Sequence, residues 1–186
     1  MSKQMTVAIA GLGGRGRDTY AKAAKKYPDK MKIVAIADID PEKVKLTAEE
    51  YDVPMSHCYE SAEDMLKEEK LADVMIIATQ DRQHVGQAIK ALKKGYHLLL
   101  EKPISPDLGE CRKISEVAKE CKREVVVCHV LRYTPIYQKV KEILDAGTIG
   151  DVISIMAIEN VGWFHQAHSF VRGNWANSDE TSPMIL

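Results

Sequence analysis

Aromatic residues are scarce in this chain, at 6%, with only two phenylalanines and two tryptophans. Any core must therefore be aliphatic. Hydrophobic residues make up 45% of 186 positions, enough for one domain, or one domain and a piece of another. Cysteine is sparse too: Cys58, Cys111, Cys121 and Cys128, none in a CxxC pair. That excludes a disulfide framework and a cysteine metal site, and predicts reduced structural thiols. Charge of one sign is not in excess, the net being −1. With no basic tract carrying interleaved aromatics, nucleic acid is excluded as a partner. No apolar run is long enough to span a bilayer, and the opening Met-Ser-Lys-Gln-Met lacks the apolar stretch of a signal peptide. A membrane partner is excluded on that reading, and a cytoplasmic location is expected. Internal repeats and low-complexity segments are missing as well.

What is present is concentrated in residues 5–38. An apolar run, Met5-Thr-Val-Ala-Ile-Ala10, opens into Gly11-Leu12-Gly13-Gly14-Arg15-Gly16. A second apolar run, Ile33-Val-Ala-Ile-Ala37, ends in Asp38. The order strand, GxGxxG turn, helix, strand, acid is the dinucleotide-binding fingerprint in its required context. Gly11 permits the tight turn, Gly13 lets backbone approach a pyrophosphate, and Gly16 lets the next helix lie close to the sheet. Unpaired N–H groups at that helix start would face the phosphates. Asp38 would accept hydrogen bonds from the adenosine ribose and repel a 2′-phosphate, so NAD is favoured over NADP. Arg15 and Arg17 soften that preference, since either side chain has the length to reach a phosphate.

Strand and helix patterns alternate through about residue 145. Apolar strand candidates fall at 5–10, 32–37, 74–78, 97–100 and 125–128, with a weaker one near 56–59. Several are continuously apolar, as expected for strands covered on both faces. Helices are predicted at 15–27, at 42–51 behind Asp40-Pro41, and at 62–69 behind a Ser61/Asp64 capping box. Three more are expected at 82–94 capped by Asp81, at 108–122 behind Asp107, and at 135–145. The fold class that follows is α/β, a doubly wound parallel sheet of Rossmann type, with its ligand crevice at the carboxyl ends of the strands. We divide the chain into a dinucleotide-binding domain at 1–133, a linking helix at 134–150, and the incomplete start of an α+β second domain at 151–186. Within the last piece Val152–Ile158 reads as a strand. The chain then stops at Ser182-Pro-Met-Ile-Leu186 without a closing element, as a truncated form would.

The residues after the later strands are Thr79-Gln80-Asp81-Arg82-Gln83-His84, Glu101-Lys102-Pro103 and His129-Val-Leu-Arg132-Tyr133. Together with the fingerprint, this order resembles the glucose–fructose oxidoreductase, inositol dehydrogenase and rhizopine-catabolism (Gfo/Idh/MocA) oxidoreductase family. Glu-Lys-Pro after a Rossmann strand is the specific part of the likeness, which runs from residue 5 to about 160. The resemblance implies that the three glycines hold the pyrophosphate and that Thr79, Gln80 and His84 line the cofactor cleft. It implies that Glu101 contacts the nicotinamide-side ribose, and that Lys102 reaches both cofactor and substrate hydroxyl and is the catalytic residue. The Lys102–Pro103 peptide is often cis in such relatives. Arg132 would touch nicotinamide, with His129 and Tyr133 toward substrate. Gln80-Asp81 departs from the Pro-Asn of many relatives. The acid/base histidine of the family has no counterpart before Leu186.

Bland readings stand beside these. Lys102 could be an ordinary solvated lysine; partial desolvation beside a pyridinium cation would favour its neutral form. His84 fits a helix residue packed on the cleft rim. His129 fits a hydrogen-bonded, semi-buried histidine. Trp163 and His165 suit a sugar-facing surface, yet Trp163 and Trp175 equally suit the core of a second domain. His165 and His168 lack a carboxylate or thiolate to complete a ligand set, so metal is rejected. Tyr20, Tyr27 and Tyr51 read as packing. The resulting expectation is an NAD-dependent oxidoreductase acting on a sugar or polyol, as a homo-oligomer. A redox-neutral NAD-dependent glycosidase and a non-enzymatic nucleotide- or sugar-sensing regulator are the alternatives.

Overall fold

The computed structural model describes residues 4–173, 175–177, 179, 181 and 182. The expected chain end over 183–186 and the first three residues of the N-terminal reading lie outside the described residues. The chain divides into two compact units, Met1–Val127 and Cys128–Leu186.

The first unit is a six-stranded sheet. Its strands are β1 (Met5–Ala10), β2 (Met31–Ala37), β3 (Cys58–Tyr59), β4 (Val74–Ile77), β5 (His97–Leu100) and β6 (Val125–Val127). They run in the order β3-β2-β1-β4-β5-β6, and every neighbouring pair is parallel. The expected doubly wound sheet is therefore the observed one. The order reverses between β1 and β4, which puts a crevice at their carboxyl ends.

Side-chain alternation along β1 feeds two cores. Val7 and Ile9 face one side, where Ala21, Ala24, Val44 and Ala48 of the helices pack on them. Ala8 and Ala10 face the other, against Met65, Ala88, Leu92, Ile114 and Val117. Ile9 and Ile36 are fully buried, each contributing about 1.5–3 kcal/mol by removal from water. With so few aromatics, small alanines let helices approach the sheet closely, and Tyr96 is the largest fully buried side chain among the described residues.

Among the described residues, five helices cover this unit. A wide π-helical turn (Gly16–Ala21) leads into α1 (Lys22–Lys26). Asp40 caps α2 (Pro41–Tyr51), its carboxylate accepting from the N–H groups of Glu42 and Lys43. Ser61 caps α3 (Ala62–Met65), accepting from Asp64 N–H at 3.0 Å as the capping box requires. This helix ends four residues earlier than expected: i→i+3 bonds from Lys67 and Glu68 tighten the chain there so that Leu66 and Ala72 reach the core. Asp81 does not cap α4 (His84–Lys93); it is buried inside a 3₁₀ turn, Asp81–Gln83, that precedes the helix. Asp107 caps α5 (Leu108–Cys121).

In the second unit, a 3₁₀ turn (Val130–Tyr133) precedes α6 (Pro135–Asp145). A short helix, α7 (Trp163–His165), runs into a π-helical segment, Gln166–Val171. The strand expected at Val152–Ile158 does not form; the segment is irregular. A strand needs a hydrogen-bonded neighbour, and Ile153, Ile155, Met156 and Ile158 stand exposed instead. No helix among the described residues is long and apolar enough to cross a membrane.

Candidate functional site

The site is assembled from the turns that follow β1, β2, β4 and β5. Gly11 has φ +87°, and a Cβ placed on it would lie 2.5 Å from the Ala78 carbonyl oxygen. Only glycine can turn there against β4. Gly16 is under stronger constraint, since a Cβ would come within 1.8 Å of the Gly11 carbonyl oxygen. Gly13 and Gly14 differ in kind: a Cβ on either would meet no atom within 4 Å. That open face is the space a pyrophosphate needs to reach backbone, so the turn fits a dinucleotide. Leu12 faces inward and packs in the core, only 1% exposed. Its N–H donates to Asp38 Oδ2 at 2.5 Å.

Asp38, at the end of β2, also accepts from Asp40 N–H at 2.9 Å. A carboxylate offers about four lone-pair sites, so capacity for ribose hydroxyls remains. Arg15 and Arg17 part company. Arg17 Nη2 is 2.8 Å from Glu50 Oε2 of α2, so this side chain is engaged by the helix after β2. Arg15 is half exposed, and its Nε stands 3.8 Å from Glu101 Oε1.

After β4, the Thr79 hydroxyl donates to Gln87 Oε1 at 2.7 Å, and Gln87 Nε2 donates to Glu63 at 3.0 Å. Direction is fixed along this chain. A carboxylate only accepts, so the Gln87 amide gives it the NH₂ end and offers its oxygen to Thr79. With its hydrogen directed inward, Thr79 keeps its lone pairs for a ligand. Gln80 starts the 3₁₀ turn, its carbonyl accepting from Gln83 N–H at 2.9 Å. His84 is buried, only 1% exposed. Its Nδ1 is 2.8 Å from the Pro103 carbonyl oxygen and its Nε2 3.1 Å from the Thr79 carbonyl oxygen. It ties the loop after β4 to the loop after β5.

Glu101 is buried at the end of β5. Its Oε2 accepts from Lys102 N–H at 3.0 Å, and its Oε1 accepts from the Tyr20 hydroxyl. The Lys102–Pro103 peptide is cis. The Lys102 side chain is exposed, so this chain does not itself supply the desolvation expected there. Tyr20, Gln87 and Glu63 are the residues that sequence reasoning missed. For Tyr20 the available signal was its place one helical turn beyond Gly16, on a ring that carries a polar tip.

The remaining candidates belong to the second unit. His129 precedes the 3₁₀ turn and is exposed rather than semi-buried; its carbonyl accepts from Arg132 N–H. Arg132 and Tyr133 line an open groove with Tyr137 and Lys141 of α6. Trp163 is 80% exposed. It meets Phe164 edge-on at 6.1 Å, and His165 meets Phe170 in the same way at 5.7 Å.

Sheet order, glycine turn and rim carboxylates define a nucleotide-binding α/β domain. A family model described as "Oxidoreductase family, NAD-binding Rossmann fold" (GFO_IDH_MocA) matches residues 5–129, and the chain belongs to this family. Its cofactor is NAD. Among curated relatives, the putative oxidoreductase YteT of Bacillus subtilis is 25% identical over 172 residues, covering 90% of this chain and 40% of its own. Inositol 2-dehydrogenase of Corynebacterium glutamicum is 25% identical over 159 residues, covering 85% of this chain and 46% of its own. The chain thus spans less than half the length of these relatives. Among solved structures, scyllo-inositol dehydrogenase of Lactobacillus casei with bound NAD(H) and scyllo-inositol superposes with TM-score 0.72 at 25% identity, over 80% of this chain and 43% of that one. The WlbA dehydrogenase of Bordetella pertussis has the same fold, with TM-score 0.71 at 24% identity over 79% and 43%.

Proposed function

We propose that this chain supplies the NAD-binding part of an oxidoreductase that moves a hydride between nicotinamide and a hydroxyl-bearing carbon of a sugar or cyclitol. The observation that carries the proposal is the rim itself. Asp38, the Gly11–Gly16 turn, Thr79 and Glu101-Lys102 follow adjacent strands in the order β2, β1, β4, β5. Acceptors for two riboses thereby flank a turn open to pyrophosphate. Bound NAD supplies a hydride acceptor. Lys102 Nζ polarises or deprotonates the substrate hydroxyl, Glu101 and Asp38 hold ribose hydroxyls, and Thr79 accepts from a ligand donor. The inositol dehydrogenases among the relatives support the cyclitol side of the substrate class.

Arg132, with His129 and Tyr133, is assigned to nicotinamide and substrate, and Trp163 and His165 to the sugar face. Asp38 favours NAD over NADP by charge. We also propose self-association, which the exposed apolar side chains at 153, 155, 156 and 158 support, and a cytoplasmic location, which four free thiols support. The test is NADH formation from NAD with a panel of cyclitols and sugars, using the full gene product and its Lys102→Ala variant. Substrate-dependent NADH that disappears in the variant is expected. Glycoside cleavage without NADH, or ligand binding without turnover, would replace the proposal.

A further inference from the structure

Lys102 follows a residue that is unusually well held. The Glu101 side chain is 7% exposed, so its carboxylate takes its orientation from the donors facing it rather than from water. One donor is local, the N–H of Lys102. The other is remote. The Tyr20 hydroxyl comes from the helical segment that begins at Gly16, 81 residues away in sequence. Arg15 stands at 3.8 Å on the side of the glycine turn and is half exposed.

Order along the rim assigns Glu101 its half of the cofactor. With the pyrophosphate on the turn after β1, the two nucleosides extend to opposite sides. Asp38 after β2 takes the adenosine ribose, which leaves the second ribose to the turns after β4 and β5. Two of the Glu101 lone-pair sites are in use, and others remain for hydroxyls.

Resting on the reading of this chain as an NAD-binding oxidoreductase part, we propose that Tyr20 is a positioning residue: its hydroxyl fixes the Glu101 carboxylate for the nicotinamide-side ribose and so couples the glycine-turn helix to the Glu101–Lys102 segment. Without the hydroxyl, the nearest remaining side-chain donor is Arg15.

The test is calorimetric titration of this chain and of Tyr20→Phe, Glu101→Gln and the double variant. Each is titrated with NAD and separately with ADP, which has the adenosine half and pyrophosphate but no second ribose. Phenylalanine keeps the ring and its packing, and a thermal melt of each variant checks folding. Tyr20→Phe is expected to bind NAD about fivefold more weakly, the value of one hydrogen bond, and to bind ADP as the parent does. Glu101→Gln, an independent arm, must show the same split, and Tyr20→Phe must cost little more on top of it. Equal losses for NAD and ADP would make Tyr20 merely structural and overturn the inference. An undiminished Tyr20 effect in the Glu101→Gln background would overturn it too, leaving the NAD-binding reading intact. A parent chain that binds ADP and NAD with the same affinity and no Glu101 effect would overturn the assignment of the rim, and the inference with it.

Discussion

Asp38 and Leu12 are joined by a 2.5 Å hydrogen bond from the leucine N–H to the aspartate Oδ2. The carboxylate that would read the adenosine ribose is thus also the acceptor that closes the glycine turn. One residue serves the shape of the pyrophosphate site and the chemistry of the ribose site.

Asp38→Ala removes both contributions. NAD affinity should fall by about 1.5–3 kcal/mol, the range for hydrogen bonds to a charged group. The preference over NADP should shrink as well, because the charge that repels a 2′-phosphate is gone. Calorimetric titration with both cofactors measures this. Unchanged NAD affinity would remove Asp38 from the site.

Two glycines of one turn should fail in different ways. Gly16→Ala forces a Cβ to within 1.8 Å of the Gly11 carbonyl oxygen. Backbone must move, and a loss of stability of about 3 kcal/mol or more is expected. Gly13→Ala meets nothing within 4 Å. It should leave the unfolding midpoint in urea almost unchanged while weakening NAD, since the new methyl occupies the approach to backbone. A Gly13→Ala protein that unfolds as early as Gly16→Ala would contradict this division.

The sheet and its rim were legible because their signals are local. Short apolar runs bounded by glycine, proline and aspartate gave the strands almost to the residue, and Asp40, Ser61 and Asp107 cap helices where their side-chain chemistry requires. What was not legible depends on partners distant in sequence. Val152–Ile158 has strand composition, but composition supplies no neighbour to pair with. Asp81 has the chemistry of a cap, yet a tight turn buries it before the helix begins. Tyr20 looks like a packing residue until Glu101 is brought to its hydroxyl across 81 residues. Gln87 looks like any polar residue on a helix, although it sets the polarity of Thr79.

Acid should weaken the contact between the helical segment after the glycine turn and α2. Glu50 receives Lys25 and Arg17, each at 2.8 Å. The Lys25 hydrogen bond, with the charges of both cations, holds its carboxyl below the ordinary glutamate value of 4.5. A depressed folded-state value means that the contribution is present above the unfolded value and is lost as pH falls through the folded one. Glu50→Gln should therefore flatten the acid limb of the stability curve below about pH 4.5. Urea unfolding of parent and variant across that range measures the difference, and parallel curves would show that Glu50 contributes nothing there.

His84 offers the last test, because its two ring nitrogens face two main-chain carbonyls, those of Thr79 and Pro103. A neutral imidazole has one N–H and can donate to only one of them; the doubly protonated ring donates to both. Either way the side chain bridges the turns after β4 and β5 from a buried position. His84→Leu keeps similar bulk but takes the ring's donor from at least one of the two carbonyls, at an expected cost of about 1–3 kcal/mol in urea unfolding. His84→Gln, whose amide NH₂ can reach a carbonyl, should recover part of that loss. NAD affinity should follow the same ranking, since Thr79 and Lys102 sit on the two turns being held. If Leu and Gln variants were equally stable, the bridge would carry no weight, and the two turns would owe their positions to the sheet alone.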